Sequence, residues 1–222
     1  MNDQNSKLKT EQMINTIIEH TKSCASVTQH PVISSKTIQA IKNVDRKKFL
    51  PIDLKNLAYD DHALGIGYGS TISQPFIVAL MCDLLELTGT EKVLDIGSGS
   101  GYHAAILSHL AKQIYSIEII PEVAQMARQN LLPYKNISLK TGNGYYGWQE
   151  NAPFDAITIA AAIQEIPADL LSQLSPHNGK IILPLEKNNN QILTLITRNN
   201  EKLSYRPVLP VRFVPFTGIH IK

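Results

Sequence analysis

The chain has 222 residues, 43% of them hydrophobic and 18% charged, with a formal net charge of +2. That length and composition suit one folded domain, or one domain with an extension, and exclude wholesale disorder. No basic run stands out, which disfavours nucleic acid as the main partner, and Cys24 and Cys82 are too few and too scattered for a disulfide framework or a metal site.

The polar start, Met1-Asn2-Asp3-Gln4-Asn5, has no basic segment leading into an apolar core, and no apolar run reaches the length of a membrane span. The expectation is a cytoplasmic chain with no membrane partner. Residues 7–21 carry Leu8, Ile14, Ile17 and Ile18 at helical spacing. A second helix is predicted over 35–44, capped by Ser34 or Ser35, with Ile38 and Ile41 inward. Residues 51–58 read as an ordered loop. Residues 1–60 do not alternate strand and helix, so they are expected to form a helical extension packed on a main domain of 61–222.

Residues 59–75 form an unusual loop. Gly65, Gly67 and Gly69 stand at alternate positions, and Ser70, Thr71 and Ser73 follow. Pro75 then opens an apolar helix predicted over 76–87, with Ser73 or Gln74 at its N-cap. The hydroxyl residues could be turn and cap residues alone, or a cradle for a carboxylate at a helix N-terminus. His62 in this loop reads as solvated or structural rather than as a base.

Val93-Leu94-Asp95-Ile96 reads as a buried strand, and Gly97-Ser98-Gly99-Ser100-Gly101 breaks it before a helix over 102–110. Glycines there let the chain turn tightly and let a ligand lie against bare backbone. The dinucleotide fingerprint wants a third glycine or alanine where Tyr102 stands. The second strand, 113–118, ends in Glu118, about 20 residues on, where a carboxylate can accept both ribose hydroxyls. The loop holds no arginine or lysine for a pyrophosphate. A glycine loop, a ribose carboxylate and no phosphate clamp suit S-adenosyl-L-methionine better than a nicotinamide cofactor.

A helix over 121–130, a strand over 137–141, Gly142-Asn143-Gly144 and a strand over 154–159 follow. The last runs into Ala160-Ala161-Ala162, small residues that leave room for a ligand at the carboxyl edge of the sheet. Tyr145, Tyr146 and Trp148 read as packing. A helix over 167–174, a strand over 180–183, a turn at Asn188-Asn189-Asn190 and a strand pair over 191–197 and 203–208 complete the chain. The predicted fold is α/β: a Rossmann-like, doubly wound, mostly parallel sheet with an antiparallel C-terminal edge and an N-terminal helical extension.

Five segments carry a family resemblance: Thr71-Ile72-Ser73-Gln74-Pro75, Gly97-Ser98-Gly99-Ser100-Gly101-Tyr102, Gly142-Asn143-Gly144, Pro153-Phe154-Asp155-Ala156 and Val211-Arg212-Phe213-Val214-Pro215. In this order and spacing the chain resembles protein-L-isoaspartate O-methyltransferases over roughly residues 44–216. The first and last segments are the specific ones; the glycine loop alone marks only a class I methyltransferase. The resemblance implies methyl transfer from S-adenosyl-L-methionine to the free α-carboxylate of L-isoaspartyl residues in damaged proteins and peptides. It also implies that Ser73 is the active-site serine, that Thr71 and Ile72 face substrate and cofactor, and that Glu118 binds the ribose. Asn143 departs from the family's usual aspartate, which receives the adenine amino group, and is expected to weaken or retune binding. The expected cofactor set is Thr71, Ile72, Asp95, Gly97, Ser98, Gly99, Gly101, Glu118, Asn143 and Gly144. The expected acceptor set is Ser70, Thr71, Ser73 and Val214, in a monomer.

An acceptor carboxylate, with a reference pKa of roughly 4, is already ionised at neutral pH and needs no general base. What remains is in-line positioning and removal of water, so Ser73 is expected to orient the carboxylate by a hydrogen bond. Two other readings use the same fold: a methyltransferase with a small-molecule or RNA acceptor, and a non-catalytic module that recognises modified protein termini.

Overall fold

The computed structural model describes residues 2–218. Helices α1 (Asn2–Ser23), α2 (Ala25–Thr28) and α3 (Ser35–Asn43) open the chain. On α1, Thr10, Met13, Ile14, Ile17 and Thr21 are buried, a single stripe at helical spacing. Ser34 caps α3 by accepting the amide of Thr37. A short 3₁₀ turn, Arg46–Phe49, follows, and the ordered loop expected over 51–58 holds a second, Ile52–Leu57.

The glycine-rich stretch is not a loop. It forms a two-stranded antiparallel hairpin of β1 (Leu64–Gly67) and β2 (Ser70–Ile72). Its turn residues Tyr68 and Gly69 both have positive φ, 53° and 74°, which matches the twist of tight hairpins. Helix α4 (Pro75–Leu84) follows, with every residue buried.

Then come β3 (Lys92–Ile96), α5 (Tyr102–Leu107), β4 (Gln113–Glu118), α6 (Pro121–Asn130), β5 (Ile137–Thr141), β6 (Ala156–Ile159) and α7 (Ala168–Gln173). Three long strands finish the chain: β7 (His177–Lys187), β8 (Asn190–Asn199) and β9 (Lys202–Val211). The sheet order is β5-β4-β3-β6-β7-β8-β9. Pairing is parallel from β5 to β7 and antiparallel across β7, β8 and β9. This is the expected Rossmann-like α/β sheet with an antiparallel edge.

Both faces of the sheet are covered, so its inner strands are mostly apolar, with Asp95, Ser116 and Thr158 among the buried polar exceptions on β3, β4 and β6. Val93, Ala156 and Ile182 point into one apolar cluster, and their neighbours Leu94, Ile157 and Ile181 into the other. Ile96 lies opposite both Ile117 and Ile159, so β3, β4 and β6 end level. The chain leaves β3 for β4 on one side, and β6 closes the other. That crevice at the carboxyl ends is where open α/β sheets bind ligands.

Strand β7 is longer than expected because Pro184 does not end it. Pro184 O accepts Ile163 N, and Ile163 O accepts Glu186 N. The missing proline donor therefore faces the 163 loop, not the β8 ladder. Asn188 and Asn189 make the β7–β8 turn with φ of 52° and 61°. Pro207 and Pro210 lie on the edge strand β9, where they blunt further pairing.

The N-terminal helices share the apolar cluster of α4: Met13, Ile17, Ile41 and Phe49 belong with Leu80 and Ile106. Asp83 pins them. Its buried carboxylate accepts Ser34 N at 3.1 Å, Ser34 Oγ at 2.5 Å, Thr37 Oγ1 at 2.6 Å and His30 Nε2 at 2.6 Å. Removing that acceptor strands the buried Thr37 hydroxyl and breaks three further bonds at once. Asp83→Ala should lower the unfolding free energy by about 2–4 kcal/mol in one urea transition. A loss under about 0.5 kcal/mol would show that the helices are not held this way.

Candidate active site

A cleft of about 290 Å³ opens at the carboxyl ends of β3, β4 and β6. Its floor is Ile96, Gly97, Ser98 and Gly99; one wall is Glu118, Ile119 and Ile120. Ala160 and Ala161 leave it open on the β6 side, and β2 with Ser73 forms the wall opposite Glu118's strand. The C-terminal tail, Val214 to Thr217, returns to line it. Ala162 ties the tail down, donating its amide to Val214 O and accepting Phe216 N, both at 2.8 Å.

Glu118 is 5% exposed. Its Oε2 accepts Gly99 N at 2.9 Å and its Oε1 accepts Ile120 N at 3.0 Å. The glycine loop is thus held by the residue meant to face the ligand. Each carboxylate oxygen still has a lone pair for a further donor. Two oxygens on a fixed carboxylate fit the two hydroxyls of a ribose, so the residues present suit the expected cofactor.

Asp95 does not reach the cleft. It is fully buried beneath the loop, and Ser116 Oγ donates to its Oδ2 at 2.6 Å. Ser116 has one hydroxyl proton, so Ser98 Oγ, 2.6 Å away, is the donor to Ser116. Asp95 therefore buttresses the loop through two serines. Burial lifts its carboxyl from the ordinary 3.8 to about 6, partly offset by the Ser116 bond. His103 Nδ1 lies 3.5 Å from Asp95 Oδ1. Burial pushes this imidazole down to about 4, so it is neutral at pH 7.

Gly101 is also outside the cleft. Its φ is 92°, and a Cβ there would sit 2.9 Å from Leu131 Cγ, so it serves the turn and the packing of α5 on α6's end. Gly144 does line the cleft, and a Cβ there would come within 2.4 Å of Ile96 Cγ2. Only glycine lets this backbone cross the end of β3.

Asn143 stands behind Gly144. Its Oδ1 accepts Tyr145 N at 2.9 Å, and its Nδ2 donates to Gly218 O at 2.8 Å. An aspartate could not make the second bond. The departure at this position thus ties the tail to the β5 end of the site. Trp148 packs edge-on against Tyr115, ring centres 5.4 Å apart, and takes no part in the cleft.

Of the expected residues, Thr71, Ile72, Gly97, Ser98, Gly99, Glu118 and Gly144 come together in the cleft, with Ser70, Ser73 and Val214. Asp95, Gly101 and Asn143 do not. Residues not foreseen as site residues are Tyr68, Val78, Tyr102, His103, Ile119, Ile120 and Phe216. Val78, Tyr102 and His103 lie in helices and the others in turns and the tail, and no motif marks any of them as a site residue. Ser100 Oγ, Tyr102 OH and His103 Nε2 are buried behind the cleft with no hydrogen-bond partner among the described residues.

Two outcomes follow from this geometry. Glu118→Gln replaces one acceptor oxygen by a donor, so the dissociation constant for S-adenosyl-L-homocysteine should rise at least about tenfold by calorimetry; an unchanged value would remove Glu118 from the ligand. Asp95 has a raised folded pKa, so its neutral form stabilises the fold. That contribution is full below about pH 4 and is lost as pH climbs through about 6. Asp95→Asn removes the titration. Its unfolding free energy relative to wild type should rise by about 3 kcal/mol from pH 4 to pH 7, whereas a flat difference would contradict the burial effect.

Comparison with known proteins places the chain in a family. The family model for protein-L-isoaspartate(D-aspartate) O-methyltransferase matches residues 18–220. A protein-L-isoaspartate O-methyltransferase 2 of Nitrosococcus oceani is 46% identical over 191 residues, covering 85% of this chain and 87% of its own. A protein-L-isoaspartate O-methyltransferase of Myxococcus xanthus is 44% identical over 198 residues, covering 86% and 93%. A solved protein-L-isoaspartate O-methyltransferase superposes with a TM-score of 0.78 at 26% identity, over 92% of this chain and 66% of that one. A Plasmodium falciparum chain described as a beta-aspartate methyltransferase, solved with S-adenosyl-L-homocysteine, shares the fold at 23% identity, with a TM-score of 0.75 over 91% of this chain and 97% of its own. With nearly the whole chain matched by one family, the protein belongs to the protein-L-isoaspartate(D-aspartate) O-methyltransferases.

Proposed function

We propose that the chain transfers the methyl group of S-adenosyl-L-methionine to the free α-carboxylate of L-isoaspartyl residues in proteins and peptides, acting as a monomeric protein-repair methyltransferase. The observation that carries this reading is that Thr71 and Ser73 line two cavities at once. One is the cleft at Glu118. The other is a groove of about 520 Å³ bounded by His20, Cys24, Gln74, Phe76 and Leu209 to Phe213. Donor and acceptor can therefore meet at the β2–α4 junction from opposite sides.

The bound cofactor supplies an electrophilic sulfonium methyl, and the acceptor carboxylate oxygen takes it as the carbon–sulfur bond breaks and its electron pair returns to sulfur. The chain's residues do the rest. Glu118 holds the ribose, and the Gly97 to Gly99 backbone lets the cofactor lie close. Val78, Ile72 and Phe216 supply apolar walls that keep water from the nucleophile. Ser73 is not the cap of α4: Gln74 occupies that position, and Asp61 Oδ1 accepts Phe76 N at 2.8 Å. The Ser73 hydroxyl is thus left to donate to the acceptor carboxylate. No base is needed, because that carboxylate is ionised well below neutral pH. Catalysis is positioning, which can contribute several kcal/mol.

The test uses labelled S-adenosyl-L-methionine and two peptides that differ only in L-isoaspartate against aspartate. Base-labile label on the isoaspartyl peptide alone is expected. Label on neither peptide, or equally on both, would overturn the acceptor assignment. Ser73→Ala should lower kcat at least about tenfold; full turnover would remove Ser73 from the reaction.

A further inference from the structure

Arg46 is fully buried, yet its hydrogen-bond partners are carbonyl oxygens rather than carboxylates. Three are close: Nη1 donates to Ala58 O at 2.8 Å, and Nη2 donates to His62 O at 2.9 Å and to Ser73 O at 3.1 Å; a fourth, Asp60 O, lies 3.5 Å from Nη1. Its guanidinium lies 5.7 Å from the centre of the Tyr102 ring, which lines the cofactor cleft. Burial lowers its pKa, opposed by the charges of Asp60 and Asp61 and by Tyr102. Taking an unpaired cation out of water is costly. It is offset here by three carbonyl dipoles and an aromatic face, brought from three parts of the chain.

The third carbonyl belongs to the proposed acceptor-binding serine. Fixing Ser73 O fixes the peptide plane that follows Ser73, and with it the direction of the Cα–Cβ bond. Three residues on, Asp61 Oδ1 holds Phe76 N, and Asp61 Oδ2 accepts Gln74 Nε2 at 3.0 Å. Both contacts act on the backbone that leaves Ser73, so the entry from Ser73 into α4 is held at two points. The planar fork suits this task, since it spans separated acceptors that a lysine's single nitrogen cannot reach together.

We propose that Arg46 is a positioning residue for methyl transfer: it sets the Ser73 backbone, and hence the acceptor carboxylate, against the methyl donor. The proposal rests on the reading of Ser73 given above. A misplacement of about 1 Å can cost on the order of 10²-fold in rate. Arg46→Lys should therefore lower kcat at least about tenfold, with the dissociation constant for S-adenosyl-L-homocysteine within about threefold of wild type. Because Arg46 acts through Ser73, the Arg46→Lys, Ser73→Ala double variant should be within about threefold of Ser73→Ala alone.

A kcat within twofold of wild type in Arg46→Lys would overturn the proposal. So would cofactor affinity falling in step with kcat, or losses that multiply in the double variant. One arm needs neither a folded variant nor activity. In wild-type protein, NMR of the Arg46 guanidinium should show separate, slowly exchanging Nη protons, because the fork is held on three carbonyls. A single averaged signal would overturn the clamp even if the isoaspartyl assay succeeds. Failure of that assay alone would overturn the substrate reading and leave this arm to judge the clamp.

Discussion

One carboxylate joins the two halves of the cofactor cleft. Glu118 ends β4, yet its oxygens hold the amide of Gly99 on the neighbouring turn and of Ile120 on its own. A buried carboxylate that accepts backbone amides is anchored by them. The glycine loop needs this anchor, because its residues offer few side chains to hold it. From below, Asp95 supports the same loop through Ser116 and Ser98. Loop shape is thus set by two acids, one facing the ligand and one hidden under the backbone.

The acceptor side is built by different means. The parallel sheet supplies only the floor. The wall at Ser73 comes from a hairpin and a helix start that the N-terminal segment secures. His20 Nδ1 meets Asp61 Oδ2 at 2.5 Å, and Asp61 in turn holds α4. Arg46 grips the same stretch from inside. The helices before the sheet thus help bound the groove beside Ser73, where His20 and Cys24 line it.

The sheet was legible in the sequence because its strands are runs of Val, Ile and Leu bounded by glycine and proline. Residues 113–118, 121–130 and 137–141 fall where the pattern puts them. The β1–β2 hairpin was not, since glycines at 65, 67 and 69 replace every second side chain and hide the alternation of Leu64 and Ile66. The glycine loop, Glu118 and Ser73 could be found from motif and spacing. Asp95 and Gly101 belong to the same motif but serve the fold of the loop, a distinction that needs burial and φ. Arg46 could not be found: beside Lys47 and Lys48 it reads as part of a solvated basic turn, and only the tertiary fold turns it inward. Asn143 was noticed for what it lacks, while its bond to Gly218 depends on a tail 75 residues away.

The proposed reaction depends on one claim: donor and acceptor meet across Thr71 and Ser73. It is tested most directly by a crystal structure with S-adenosyl-L-homocysteine and an isoaspartyl peptide bound together. The claim predicts the ribose hydroxyls on Glu118, the peptide in the groove beside Phe76 and Arg212, and its free α-carboxylate on Ser73 Oγ. A carboxylate oxygen should then lie within methyl-bridging reach of the sulfur, with the reacting atoms about 3–3.5 Å apart once the methyl is in place. A peptide seated elsewhere, or a carboxylate turned away from Ser73, would contradict it.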